Sequence, residues 1–169
     1  MFLQNAISKR INDNNPVKVA LIGAGKFGSM FLSQVPSTLG IEVLVIADLK
    51  PDNAVKACKN VGWSDDLINK TKFVDRGADA IKLNEVEVVI EATGFPAAGI
   101  EHARQAFQNG KHIIMVNVEA DVLAGAALVK EANSAGVVYS MAYGDQPALT
   151  AEIVEWARAS GFNVTSAGK

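Results

Sequence analysis

The 169-residue chain is expected to fold as an α/β domain with a doubly wound, mostly parallel sheet. Three observations predict this. Short, nearly continuous apolar runs at 17–22, 41–47 and 86–92 are the mark of strands buried on both faces. Segments with helical apolar spacing separate those runs, so each strand returns through a helix to a parallel neighbour. Proline and glycine punctuate the joins: Pro51, Pro96 and Pro147 open helices, and Gly110 and Gly136 close them.

Taken in order, residues 1–14 read as an amphipathic helix with Phe2, Leu3, Ala6, Ile7 and Ile11 on one face. Asn12, Asn14, Asn15 and Pro16 break it. Residues 1–16 are therefore a helical lead-in, and 17–169 form the domain proper. A strand is expected at 17–22, a helix at 27–35 stopped by Pro36, a strand at 41–47 and a helix at 51–61. The stretch 63–84 carries the weakest pattern, read as a short strand at 72–75 and a short helix at 78–83. The remainder reads as strand 86–92, helix 96–109, strand 112–118, helix 121–135, strand 137–141, helix 147–160 and a last strand at 164–167.

Composition bounds the function. Hydrophobic residues make up 49% and charged residues 20%, the balance of a globular domain with a real core. A formal charge of −2 with no basic stripe speaks against a nucleic-acid partner. The single cysteine, Cys58, excludes an internal disulfide framework and suits a reducing compartment. Residues 1–15 lack the layout of a signal peptide, and no apolar run approaches the roughly 20 residues that span a bilayer. The expectation is a cytoplasmic protein without a membrane partner.

The chemistry centres on Gly23-Ala24-Gly25-Lys26-Phe27-Gly28, a G-x-G-x-x-G turn. A strand runs straight into it and a helix straight out, so the helix N-terminus aims free N–H groups at an anion lying over the turn. Gly23 permits the tight turn, Gly25 the approach of a pyrophosphate, and Gly28 close helix–strand packing. About 20 residues on, Asp48 closes the second strand, where a carboxylate accepts hydrogen bonds from the adenosine ribose. That acid favours NAD over NADP, although Lys50 nearby softens the repulsion of a 2′-phosphate, so NADP stays open. These features specify a dinucleotide-binding domain of the Rossmann type.

Three further clusters follow strand ends. Glu91-Ala92-Thr93-Gly94 ends a strand that neighbours the first across the topological switch point, which places Thr93 and Gly94 toward the nicotinamide half. Glu91 there is equally consistent with a backbone-bonded strand-end acid and with a functional one. Asn117-Val118-Glu119-Ala120-Asp121 supplies Asn117, a cofactor contact and with Glu119 a catalytic candidate, while Asp121 is read as a helix cap. Tyr143-Gly144-Asp145-Gln146-Pro147 adds Asp145, read as a cap with a lesser claim to catalysis. Neither His102 nor His112 belongs to a set at metal-ligand spacing. Both are read as structural, and no metal is expected.

On VALIGAGKFGSMF (19–31), IEATGFPAAG (90–99), NGKHIIMVNVEAD (109–121), YGDQPA (143–148) and SAGK (166–169), the chain resembles the NAD(P)-binding domain of homoserine-dehydrogenase-like oxidoreductases. It is most similar there to the group carrying an SAF-type segment, which includes 1-deoxy-D-xylulose 5-phosphate reductoisomerase-like enzymes. The resemblance implies hydride transfer with NAD(P)H on a small carbonyl or alcohol, and in that group a phosphorylated sugar-like carbonyl. It also implies a following domain that completes the active site and forms a homo-oligomer. The chain is thus expected to be the N-terminal part of a longer enzyme, with Lys169 as a further catalytic candidate. A non-catalytic NAD(H)-sensing module is the alternative.

Overall fold

The computed structural model describes residues 2–144 and 146–168. In chain order the elements are α1 (Phe2–Asn12), β1 (Val17–Ile22), α2 (Lys26–Gln34), β2 (Ile41–Ala47), α3 (Pro51–Asn60), α4 (Asp65–Lys70) and β3 (Lys72–Val74). They continue with α5 (Gly77–Ile81), β4 (Val88–Glu91), α6 (Pro96–Gln108), β5 (His112–Met115), α7 (Val118–Ala135), β6 (Tyr139–Met141) and α8 (Gln146–Ala159). The six strands form one sheet in the order β3-β2-β1-β4-β5-β6. Every neighbouring pair is parallel, the doubly wound arrangement expected from the sequence.

Period-two alternation divides the apolar side chains of each strand between the two faces. Ala20, Ile22, Val89, Ile113 and Met115 pack with residues of α5, α6 and α7, such as Ile81, Ala103 and Leu128. Val19, Leu21, Val43 and Ile90 pack on the other face with Leu32, Ala54, Cys58 and Trp63. Burial explains why these strands read as unbroken apolar runs: neither face meets water.

Register places the strand ends in one row. Ile22 pairs with Ala47 and Glu91, Ala47 with Val74, Glu91 with Met115, and Met115 with Met141. The loops beyond that row share a single edge of the sheet. β1 and β4 are neighbours from which the chain winds outward in opposite directions, so the edge at their ends is the switch point.

Three details differ from expectation. Residues 65–70 form α4, a short polar helix, opened by Ser64, whose hydroxyl accepts a hydrogen bond from Leu67 N at 3.3 Å. Helix α7 begins at Val118, capped by Asn117, whose Oδ1 accepts from Ala120 N at 3.1 Å. Asp121 is therefore inside the first turn and is not the cap; its Oδ1 instead accepts from the Tyr139 hydroxyl at 2.7 Å. Residues 164–167 make no strand. Val164 and Ala167 lie along α8, lining a groove with Ile153 and Ala157, and so never reach the edge of the sheet.

Candidate dinucleotide site

The turn after β1 is built as the glycines require. Gly23 has φ +97°, and a Cβ there would stand 2.7 Å from Ala92 O. At Gly28 a Cβ would fall 2.2 Å from Gly23 O, so α2 packs directly on the turn that precedes it. Gly25 differs from both: nothing lies within 4 Å of an added Cβ, and its φ of −71° suits any residue. Its lack of a side chain is not needed for the fold; it keeps the space above the turn clear. Gly25 is also the cap of α2 and offers no side-chain acceptor, which leaves the first-turn N–H groups open to an anion. Lys26 and Phe27, exposed on that first turn, flank the opening.

Asp48 sits at the end of β2 beside this turn. Its Oδ2 accepts from Ala24 N at 3.1 Å and its Oδ1 from Lys50 N at 3.0 Å. The carboxylate thereby clasps the glycine turn from the second strand while keeping lone pairs for ribose hydroxyls. It does not cap α3, whose cap is Lys50.

A cavity of about 540 Å³ opens over this edge. Gly23, Gly25, Asp48 and Thr93 line it, joined by residues that the sequence reading did not place there: Arg76, Phe95, His102 and Gln105. Leu49 and Phe95 stand at its mouth with 90% and 64% of their surface exposed, two apolar walls suited to a flat ring. Arg76 caps the start of α5 and Gly77 is its first residue, while His102 and Gln105 come from one face of α6. Nothing in the linear sequence marks those helix and loop positions as neighbours of the glycine turn, so only the sheet order brings them in.

Beneath the cavity wall runs a chain of hydrogen bonds. Glu91 is fully buried, and its Oε1 accepts from the Thr93 hydroxyl at 2.5 Å, from Thr93 N at 3.3 Å and from His102 Nδ1 at 3.3 Å. The Thr93 hydroxyl oxygen accepts in turn from Phe95 N at 3.3 Å and Asn117 Nδ2 at 3.5 Å. Asn117 Nδ2 also donates to Phe95 O at 3.0 Å. Asn117 is buried and its amide is committed to this turn and to the α7 cap, so it holds the 93–95 loop from behind. Gly94, with φ +69°, turns that loop outward, and Thr93 stays exposed.

The catalytic candidates fare unevenly. Glu119 is exposed on the first turn of α7, and Asp145 and Lys169 lie outside the described residues. His102, taken from sequence as structural, lines the cavity. Among the described residues no group of three or more His, Cys, Asp or Glu side chains is placed to hold a metal. No described helix is long and apolar enough to cross a membrane. Cys58 is buried, and desolvation pushes its thiol up to about 11, so it stays protonated and unreactive at neutral pH.

Comparison with solved structures finds the same architecture in dehydrogenases. Myo-inositol dehydrogenase from Lactobacillus casei, solved with NAD(H) and myo-inositol, matches with a TM-score of 0.65 at 17% identity, over 87% of this chain and 42% of its own. A homoserine dehydrogenase from Thiobacillus denitrificans matches at 0.63 and 22%, over 75% of this chain and 29% of its own. The WlbA dehydrogenase from Bordetella pertussis, solved with NADH and UDP-GlcNAcA, matches at 0.62 and 18%, over 87% and 43%. The chain thus spans less than half the length of these solved proteins. Comparison with curated protein sequences finds no match. The family described as homoserine dehydrogenase, NAD binding domain, matches residues 23–142, a stretch that starts at the glycine turn and ends just past β6. The chain belongs to the homoserine dehydrogenase NAD-binding domain family.

Proposed function

We propose that this chain is the cofactor-binding part of an NAD(P)-dependent oxidoreductase that moves a hydride between a nicotinamide and a small carbonyl or alcohol. The observation that carries the reading is the open Gly25, above which nothing lies within 4 Å, at an uncapped helix N-terminus with Asp48 hydrogen-bonded to the same turn. The pyrophosphate fits over Gly25 and the α2 N-terminus, and the adenosine ribose fits against Asp48. Bound there, NAD would supply the hydride-carrying ring; Thr93, braced by Glu91 and Asn117, presents the loop nearest that ring.

The substrate site and the proton donor belong to residues beyond these 169, in a domain that follows. Helix α8 supports this: none of its described side chains is buried, and Ile153 and Trp156 are 66% and 68% exposed. Such a face suits a second domain that covers it. Within the class, we place the chain with the SAF-containing, 1-deoxy-D-xylulose 5-phosphate reductoisomerase-like group, on the EATG and NVEAD segments at the ends of β4 and β5. We place the enzyme in the cytoplasm as a homo-oligomer assembled through the following domain.

Titration of the purified chain with NADH, read by ligand fluorescence and calorimetry, tests the site. Saturable binding is expected, and Gly25→Val is expected to abolish it while melting like the parent, since an added Cβ there has no protein atom within 4 Å. A folded Gly25→Val chain that binds NADH as the parent does would overturn the placement.

A further inference from the structure

Resting on the NAD reading of the cavity, we propose that His102 is a cofactor-binding residue whose protonation sets dinucleotide affinity, with Glu91 as the residue that positions it. Asp48 and Glu101 face the cavity, as do Asp75 and Arg76 from the turn before α5. Asp79 is exposed one turn on, and Glu91 is buried directly behind His102. Carboxylates outnumber cations around a cavity meant for an anionic pyrophosphate. On the α7 side Asp121 is already occupied by the Tyr139 hydroxyl. Apart from Arg76, the imidazole of His102 is the cavity-lining group able to supply positive charge near neutral pH.

Geometry distinguishes the two ring nitrogens. The ring has 16% of its side-chain surface exposed. Its Nδ1 is tied to Glu91 Oε1, so with Glu91 ionised the Nδ1 proton is fixed and the second proton goes on Nε2. The ring packs against Gly77, where an added Cβ would meet Nε2 at 2.5 Å; glycine at this position leaves the ring its place on the cavity wall. Nε2 has no hydrogen-bond partner among the described residues. Glu91 Oε2 is likewise buried without a partner. A buried carboxylate with one bare oxygen is costly, and imidazolium against it offsets part of that cost.

The sign follows by linkage. A bound dinucleotide favours the charged ring, so binding draws a proton from the buffer onto Nε2. Affinity is highest where the ring is already protonated and falls as pH rises. The chain has two histidines. The other, His112, opens β5 at the opposite edge of the sheet, where its Nδ1 accepts from Val138 N at 3.0 Å. His112 is therefore remote from the cavity, and comparison with His102→Asn isolates the part of a pH profile that belongs to His102.

The experiment is NADH titration across that pH range, with calorimetry at pH 7.5 in two buffers of different ionisation enthalpy. The parent is expected to lose roughly three- to tenfold in affinity from pH 6 to pH 8, with fractional proton uptake. His102→Asn, which keeps a donor near Glu91 but cannot ionise, is expected to bind with a flat profile and no buffer dependence. Glu91→Gln, which keeps the acceptor for Thr93 but removes the charge, is expected to move the fall to lower pH. A flat parent profile, or an equal slope in His102→Asn, overturns the proposal while leaving the dinucleotide site intact. Absence of saturable NADH binding at every pH overturns the site, and this inference with it.

Discussion

Asp48 braces the glycine turn through the hydrogen bond from Ala24 N, and its proposed second duty is to receive the adenosine ribose. The two duties separate by substitution. Asp48→Asn keeps an oxygen for Ala24 N and removes the charge; NADH affinity is expected to fall about tenfold, or about 1.4 kcal/mol, with NADPH less affected. Asp48→Ala is expected to cost more, because the turn also loses its acceptor. Parallel titrations with both cofactors measure this, and an unchanged NADH-to-NADPH ratio in both variants would remove Asp48 from the site. The glycine turn and Asp48 are legible as a candidate site because their pattern is one of spacing along the chain. Arg76, His102 and Gln105 are not, since their neighbourhood depends on which strands lie side by side.

Among elements, the joint between α7 and β6 shows a local preference overridden by packing. Gly125 lies inside a helix, where replacement by alanine ordinarily stabilises by about 1 kcal/mol. Here the new Cβ would stand 2.4 Å from Asp121 Oδ1, the atom that accepts from the Tyr139 hydroxyl. That phenol is half-buried, and burial with the Asp121 bond holds its pKa far above the usual tyrosine range. Displacing Asp121 strips a desolvated hydroxyl of its partner at a cost of about 1–3 kcal/mol. Gly125→Ala is therefore expected to lower the melting temperature in the parent and to raise it in a Tyr139→Phe background. Equal effects in both backgrounds, in a thermal double-mutant cycle, would disprove the coupling. The same scale explains which elements the sequence revealed. β1 and β2 were read to the residue because burial on both faces leaves an apolar run with sharp ends. Helix α4 leaves little trace in the sequence because six residues, mostly polar, show no period; Ser64 followed by Asp65 and Asp66 is the available signal. Asp121 resembles a cap and points to a start for α7 three residues late, whereas Asn117 makes the bond.

Across the whole molecule, stability is distributed unevenly. The central strands β1 and β4 are flanked by two buried clusters, while α8 has no buried side chain among those described and meets the sheet mainly at the edge strand β6. A 14-residue helix without a packed face has little beyond its own marginal propensity to hold it. The two tryptophans report the two ends of this range. Trp63 is 5% exposed, with its Nε1 donating to Leu32 O at 2.7 Å, and Trp156 on α8 is 68% exposed. In the isolated chain, amides of α8 are expected to exchange with solvent orders of magnitude faster than those of β1 and β4. Trp63→Phe is expected to leave a red-shifted emission that iodide quenches freely, and Trp156→Phe a blue-shifted emission that resists it. Strong protection of α8 together with a shielded Trp156 would mean that the helix is already covered, by a second copy of the chain. A mass measurement in solution would reveal that copy, and the apolar face would then belong to self-association instead of to a following substrate domain.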